Sequence, residues 1–375
     1  MAGKLALAVV VTVAVVSFAS AATARAGAVA TAPTVSTVAT GLDNPRDLTF
    51  GLDGRLYVAE AGHGGDDCIS GGEGGTTCIG FTSRISRIDM GIGAVTPIAT
   101  GIVSLAGEDG FAATGVDGIS ASPTGSIFGI VTGSAAAIPE GIPFVPSKVA
   151  RVKAQLGRLI VASPAGGWNP VADVGDFDFA WTAARPDLVP GQFPDANPYG
   201  VLAGVGEHWV VDAGANTLDR VRSNGSVEVV AFIPNPPASD AVPTCIERGP
   251  DGALYIGELT GGGNAPGSSI VWRYSVREQK LTQWATGLTA VTGCGFGTDG
   301  RFYAVEFSTL GLDNAAPGTG ALVRVAPHSV APSVILDGLS FPGGFAAAGG
   351  ALYFSDWSIA PASTGLGSVK RVTLP

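Results

Sequence analysis

The residues of this chain that could do chemistry are oxygen-bearing side chains set just ahead of apolar segments. Asn44 and Arg46 flank Pro45, Asn197 and Tyr199 flank Pro198, and Asp117, Asp240, Thr244 and Thr292 hold comparable places. Asn and Asp offer the hard oxygen ligands that Ca2+ and Mg2+ prefer. If these segments converge, Asn197 and Asp240 are the candidate ligands of one Ca2+, and such an ion could polarise a lactone or phosphotriester for hydrolysis. The competing expectation is structural: Asn ahead of Pro closes an Asx turn and spends its oxygen there.

A second set of acids, Glu60, Asp212, Glu258, Glu306 and Asp356, ends short apolar runs. A catalytic group is needed once, whereas a strand-end contact is needed in every repeat. The recurrence therefore predicts pairing with arginines such as Arg87, Arg273 and Arg324, or with backbone N–H groups. Asp66, Asp67 and Glu73 lie in a Gly-rich stretch between His63 and Cys78. That stretch has neither EF-hand spacing nor a calcium-binding nonapeptide, and reads as a surface loop. Nucleophilic catalysis finds little support. There is no G-x-S-x-G elbow, no P-loop and no dinucleotide fingerprint, and His63, His208 and His328 are the only histidines.

What would position these residues is a repeat. Asp53-Gly54 precedes Leu56-Tyr57-Val58-Ala59-Glu60, Asp251-Gly252 precedes Leu254-Tyr255-Ile256-Gly257-Glu258, and Asp299-Gly300 precedes Phe302-Tyr303-Ala304-Val305-Glu306. Gly349-Gly350 precedes Leu352-Tyr353-Phe354-Ser355-Asp356, with weaker copies around Gly125 and Gly206. Asp-Gly between alternating apolar residues is a strong hairpin signal, because a type I′ turn needs positive φ at both central positions. The last three turn-to-turn steps are 46, 48 and 50 residues, and the earlier 71 and 81 imply long insertions. Each hairpin is followed by a third strand carrying Arg and by a fourth strand. This predicts an all-β fold, a six-bladed β-propeller of four-stranded antiparallel blades over residues 35–375. The final repeat lacks an outer strand, and Val35-Ser36-Thr37-Val38-Ala39 supplies it, so the chain ends close the ring and cover each other's edges.

Composition bounds the rest. The 375 residues include 56 Gly and 25 Pro, with 14% charged residues and a net charge of −10. That acidic balance argues against nucleic-acid binding, which needs a basic face to neutralise phosphates. Lys4, the apolar run Leu5–Phe18 and small residues at Ala19-Ser20-Ala21 or Ala24-Arg25-Ala26 read as a signal peptide over residues 1–26, followed by a linker over 27–34. No later stretch is long and apolar enough to span a bilayer as a helix. The expected location is secreted or periplasmic. Four cysteines fit an oxidising compartment, and zinc would need closer spacing. Cys68 and Cys78 bracket one loop. Cys245 and Cys294 pair by elimination, and their near-equivalent places in adjacent repeats put them on neighbouring inner strands.

The segments Val38-Ala39-Thr40-Gly41-Leu42 with Asn44-Pro45-Arg46, Tyr57-Val58-Ala59-Glu60-Ala61-Gly62, Asn197-Pro198-Tyr199-Gly200 and Gly257-Glu258-Leu259-Thr260-Gly261 together resemble the ScyD/ScyE family. The resemblance implies an exported NHL/SMP-30-like six-bladed propeller and little chemistry. It departs at Gly261-Gly262-Gly263-Asn264, where the family pattern has aromatic and proline residues. In propellers the inner strands line a central channel whose mouth is the ordinary ligand site. Asn44, Arg46, Asp117, Asn197, Tyr199, Asp240 and Thr244 are the expected mouth residues, for an unidentified small molecule or protein. The leading functional expectation is a binding or scaffold module, and the alternative is an SMP-30-like lactonase with one Ca2+ at the channel mouth.

Overall fold

Apolar–polar alternation on either side of tight Gly turns leaves each segment of this chain only one way to hide its apolar face, in a twisted antiparallel ladder packed against the next. The computed structural model describes residues 32–70, 75–163, 166–235 and 238–375. The expected signal segment 1–26, most of the linker and Glu73 lie outside the described residues. Strand β1 (Thr34–Leu42) comes first and belongs to the last blade. Blade 1 contains β2 (Pro45–Phe50), β3 (Leu56–Glu60), β4 (Asp67–Ser70), β5 (Thr76–Ile88) and β6 (Val95–Ala106). Blade 2 contains β7 (Val116–Ala121), β8 (Ile127–Val131), β9 (Arg158–Ala162) and β10 (Trp168–Asp173), with helix α1 (Pro146–Lys153) between β8 and β9. Helix α2 (Gly175–Ala183) then leads into blade 3, which is β11 (Pro198–Ala203), β12 (Glu207–Asp212), β13 (Thr217–Arg222) and β14 (Val227–Phe232). Blade 4 is β15 (Pro243–Arg248), β16 (Leu254–Glu258), β17 (Ser269–Ser275) and β18 (Lys280–Leu288). Blade 5 is β19 (Val291–Phe296), β20 (Phe302–Glu306), β21 (Gly320–Val325) and β22 (Ser333–Leu339). Blade 6 is β23 (Phe345–Ala348), β24 (Ala351–Asp356), β25 (Gly367–Thr373) and, on its outer edge, β1, with Val35 opposite Val372.

The six-bladed ring and its closure by the first strand are therefore as expected. Blade 1 differs. The segment expected to be a surface loop is a hairpin, β4 against β5, with Cys68 directly opposite Cys78 and bonded to it. Alternating Asp67-Cys68-Ile69-Ser70 and Thr76-Thr77-Cys78-Ile79 pair because the disulfide holds the arms together. Helix α1 covers this hairpin: Lys148 reaches Asp67 and the Ile79 carbonyl, and Arg151 stacks on Phe81.

The turn motif proves longer than Asp-Gly. In three blades it reads Gly-x-Asp-Gly-x-Leu/Phe-Tyr. Asp53, Asp251 and Asp299 each accept a backbone N–H two residues on and a hydroxyl four residues on, from Tyr57, Tyr255 and Tyr303. A Cβ on Gly51 or Gly297 would lie 2.7 Å from the Tyr ring, so only Gly admits that ring.

The strand-end acids take backbone N–H groups, one of the two expected partners, and the arginine that pairs with one of them is not among those expected. Glu60 accepts both arms of Arg84, not Arg87, and also the Asp43 N–H. Glu258 takes the Ile270 N–H and the Trp272 indole, Glu306 the Thr289 N–H and Asp356 the Ser340 N–H. Arg273 turns instead to Asp251 at 2.7 Å. The reason is register. Arg273 lies opposite Tyr255 at the turn end of β16, whereas Glu258 lies at the other end.

The candidate channel site

Five of the six inner strands carry a bulge at the same place. Val116 and Gly118 pair with successive residues of β8, leaving Asp117 unopposed. Tyr199, Thr244 and Thr292 are left over likewise in blades 3, 4 and 5, and Arg46 with Asp47 in blade 1. A bulge re-aims the extra side chain out of the ladder. These residues accordingly line one central cavity together with Glu247.

Glycines let the ring draw tight. A Cβ on Gly200 would lie 2.7 Å from the Thr244 carbonyl oxygen, and one on Gly293 would lie 2.6 Å from the Gly343 oxygen. Gly118 approaches the Tyr199 carbonyl in the same way. The clash is with backbone, which cannot rotate aside. Gly200→Ala is expected to cost about 1–3 kcal/mol, the usual range for overpacking. A midpoint in thermal or urea unfolding that matches the parent would show that the strands can separate freely.

Polar groups on this ring bond mostly to backbone, and Arg46 Nε and Asp117 Oδ2 have no hydrogen-bond partner among the described residues. Arg46 Nε lies 3.5 Å from Asp117 Oδ1, its Nη2 donates to the Ala113 carbonyl, and it also reaches the Tyr199 hydroxyl. Thr244 donates across the seam to Val291 O at 2.7 Å, and Thr292 to Pro342 O at 3.0 Å. Burial pushes Asp117 up to about 6 although Arg46 opposes the shift, and pushes Asp47 up to about 7. Burial also raises Tyr199 to about 12, and raises Glu247. The space left on the axis is about 50 Å3. That suffices for a few water molecules, against the roughly 300–1,000 Å3 of small-molecule sites.

The remaining expected mouth residues stand elsewhere. Asn44 is buried, with its amide donating to Gly62 O and Gly110 O and its oxygen accepting from Ala360 N at 2.8 Å. It fastens loops of blades 1 and 6. Asn197 accepts from the Thr132 hydroxyl, and its N–H donates to Asp212 at 2.7 Å. Asp240 accepts from Gln192 and from Asn216, each at 2.7 Å. Neither Asn197 nor Asp240 is among the cavity-lining residues. Among the described residues no group of three or more His, Cys, Asp or Glu side chains is arranged to hold a metal ion. Sequence reasoning placed Arg46, Asp117, Tyr199, Thr244 and Thr292 on the axis and missed Asp47 and Glu247. Position in the repeat was the signal for Asp47, which immediately follows Arg46.

The sequence matches no protein-family model, and no curated protein matches it. Solved structures do. One is a gluconolactonase from Xanthomonas campestris, with a TM-score of 0.54 and 9% identity over 92% of this chain and 90% of that one. A protein of unknown function from Bacteroides thetaiotaomicron has a TM-score of 0.54 and 10% identity, over 92% of this chain and 76% of that one. A protein from Thermus thermophilus, provisionally described as a glucose dehydrogenase, has a TM-score of 0.53 and 16% identity over 91% of this chain and 99% of that one. The likeness is one of fold. At such identities a shared ring says nothing about shared chemistry.

A second polar cluster lies off the axis. Asp178 of α2, Asp212 at the end of β12 and Asp219 of β13 are all fully buried. Asp212 Oδ1 accepts the Asn197, Gly214 and Ala215 N–H groups, and Asp219 Oδ2 the Thr217 hydroxyl. The other oxygens of these two, and both of Asp178, have no hydrogen-bond donor among the described residues. Asp178 contacts both neighbours. No helix among the described residues is long and apolar enough to cross a membrane.

Proposed function

We propose that this chain is an exported recognition module of the ScyD/ScyE type, a rigid propeller that binds its ligand on a surface rather than turning over a substrate in the channel. The observation that carries this reading is the axis itself. Its cavity is about 50 Å3. Thr244 and Thr292 are bonded to neighbouring blades and Arg46 to the Ala113 carbonyl and, as an ion pair, to Asp117, while Arg46 Nε and Asp117 Oδ2 have no hydrogen-bond partner among the described residues. The lactonase alternative, with one Ca2+ at the mouth, requires open oxygen ligands. Asn197 and Asp240 have theirs committed to Thr132, Gln192 and Asn216. Export is supported by the Lys4 and Leu5–Phe18 pattern and by the two disulfides. N-terminal sequencing of the mature protein should begin at Ala22 or Gly27.

The test combines metal analysis with an activity screen. Protein purified without chelator is expected to hold no stoichiometric calcium. It should hydrolyse gluconolactone and paraoxon at the buffer rate with Ca2+, Mg2+ or Mn2+ added. About one calcium per chain, lost together with lactone hydrolysis in the Asn197→Ala/Asp240→Asn double variant, would replace this reading with the lactonase one.

A further inference from the structure

The seam between blades 4 and 5 differs from the channel in size and in chemistry. It opens into a cleft of about 480 Å3, within the range of small-molecule sites. Its walls are four aromatic rings. Tyr255 stands edge-to-face against Trp284 and Phe296 with centroids 5.0 Å apart, and Phe302 closes the group at 5.3 Å from Trp284 and 5.1 Å from Phe296. Tyr255 and Phe302 are buried, while Trp284 and Phe296 are half-buried and present ring surface to the cleft.

Two features hold this cleft open in one shape. The Cys245–Cys294 disulfide ties β15 to β19 within the same hydrophobic cluster. The turn after β21 hooks onto β18, with His328 N donating to Trp284 O and Thr286 N to Ser329 O, each at 2.8 Å. A preformed site spares a ligand the cost of ordering it.

Charge supplies the second half of the argument. Asp251, the acid at the rim, is already held by Arg273 at 2.7 Å and by the Tyr255 hydroxyl. Arg301 is well exposed and makes only a 3.3 Å contact with Asp299. Arg324 forms no ion pair among the described residues. Two guanidinium groups thus border an aromatic slot on a chain whose net charge is −10. Guanidinium binds carboxylates in bidentate fashion, and aromatic walls favour offset or edge-on ring contacts.

We infer that this cleft binds a flat aromatic ligand carrying one anionic group, its ring against Trp284 and Phe296 and its anion on Arg324 and Arg301. The inference deepens the recognition-module reading and rests on it. The cleft lies at the turn end of the blades, whereas Asn197 and Asp240 lie at the opposite end, so cleft variants and variants at Asn197 and Asp240 separate the two claims.

The probes are 2-naphthoate and its neutral analogue 2-naphthalenemethanol, followed by titration calorimetry and tryptophan fluorescence on the mature protein. Saturable naphthoate binding in the submillimolar range is expected, with weaker binding of the alcohol. Arg324→Gln should weaken naphthoate about tenfold, a typical loss for a charge-assisted contact, and leave the alcohol unchanged. Trp284→Leu should weaken both, while Trp284→Phe, which keeps a ring, controls for folding. No saturation up to about 10 mM, or naphthoate binding indifferent to Arg324→Gln and Trp284→Leu, overturns the cleft but leaves the module reading standing. Lactone turnover abolished by the Asn197→Ala/Asp240→Asn variant would overturn the module reading, while the naphthoate titrations decide the cleft.

Discussion

Replacing Cys245 and Cys294 together by Ser is expected to remove about 4 kcal/mol of stability, the loop-closure entropy of a crosslink spanning 49 residues. The native geometry accepts the bond readily, with Cα atoms 5.7 Å apart on adjacent inner strands. Blades of a propeller meet through side-chain packing, and a ring opens most easily at one seam. This crosslink holds one such seam, between β15 and β19, in the same hydrophobic cluster as Tyr255 and Phe302. At about 2.1 cal/mol/K per residue, the loss corresponds to a fall in melting temperature of about 5–6 °C. Cys68 and Cys78 close only 10 residues within one hairpin, so the same entropy model assigns that pair about 2.7 kcal/mol, lost locally at β4. Calorimetry on the two double variants checks the order. Equal or reversed losses would mean that seam 4–5 is held by packing alone.

The second large effect is expected from Asp178→Asn. Three dry carboxylates cannot all be ionised side by side. Burial is the main reason Asp178 and Asp219 are pushed well above the usual carboxylate range, with the Asp212 charge adding to it for both, and burial raises Asp212 to about 6. Groups whose folded pKa is raised stabilise the fold below their unfolded value, and that stability is lost as pH rises through the folded value. For Asp212 the window runs from about 3.8 to about 6, and Asp178 and Asp219 extend it upward. A shift of about two units is worth about 3 kcal/mol. An amide at position 178 carries no charge at any pH and can still donate to Asp212 Oδ2 or Asp219 Oδ1 where an ionised Asp178 no longer can. The variant should melt near the parent in acid and above it at pH 8, because Asp178 no longer has to ionise inside the fold. Parallel melting curves from pH 4 to 9 would sink the explanation. Because α2 leads to the segment holding Gln192 and Asn197, loosening the cluster at high pH should also speed amide exchange there.

What could be read in the sequence was whatever depends on near neighbours along the chain. Strand alternation, Asp-Gly turns and a step close to 48 residues predict blades, because each constrains backbone a few residues at a time. Ring closure by Val35–Ala39 followed from counting strands, and the disulfide pairing from equivalent places in successive repeats. The structure decided whatever depends on register and on contact between blades. Asn44, Asn197 and Asp240 have the composition of an ion site, yet their oxygens are taken by loops far away in sequence. Arg84 rather than Arg87 meets Glu60 because strand register sets which side chains lie opposite, and sequence spacing does not reveal it. Asp178 carries no local signal at all. It matters because a helix inserted between blades 2 and 3 carries its carboxyl group onto Asp212 and Asp219, and only packing brings the three together.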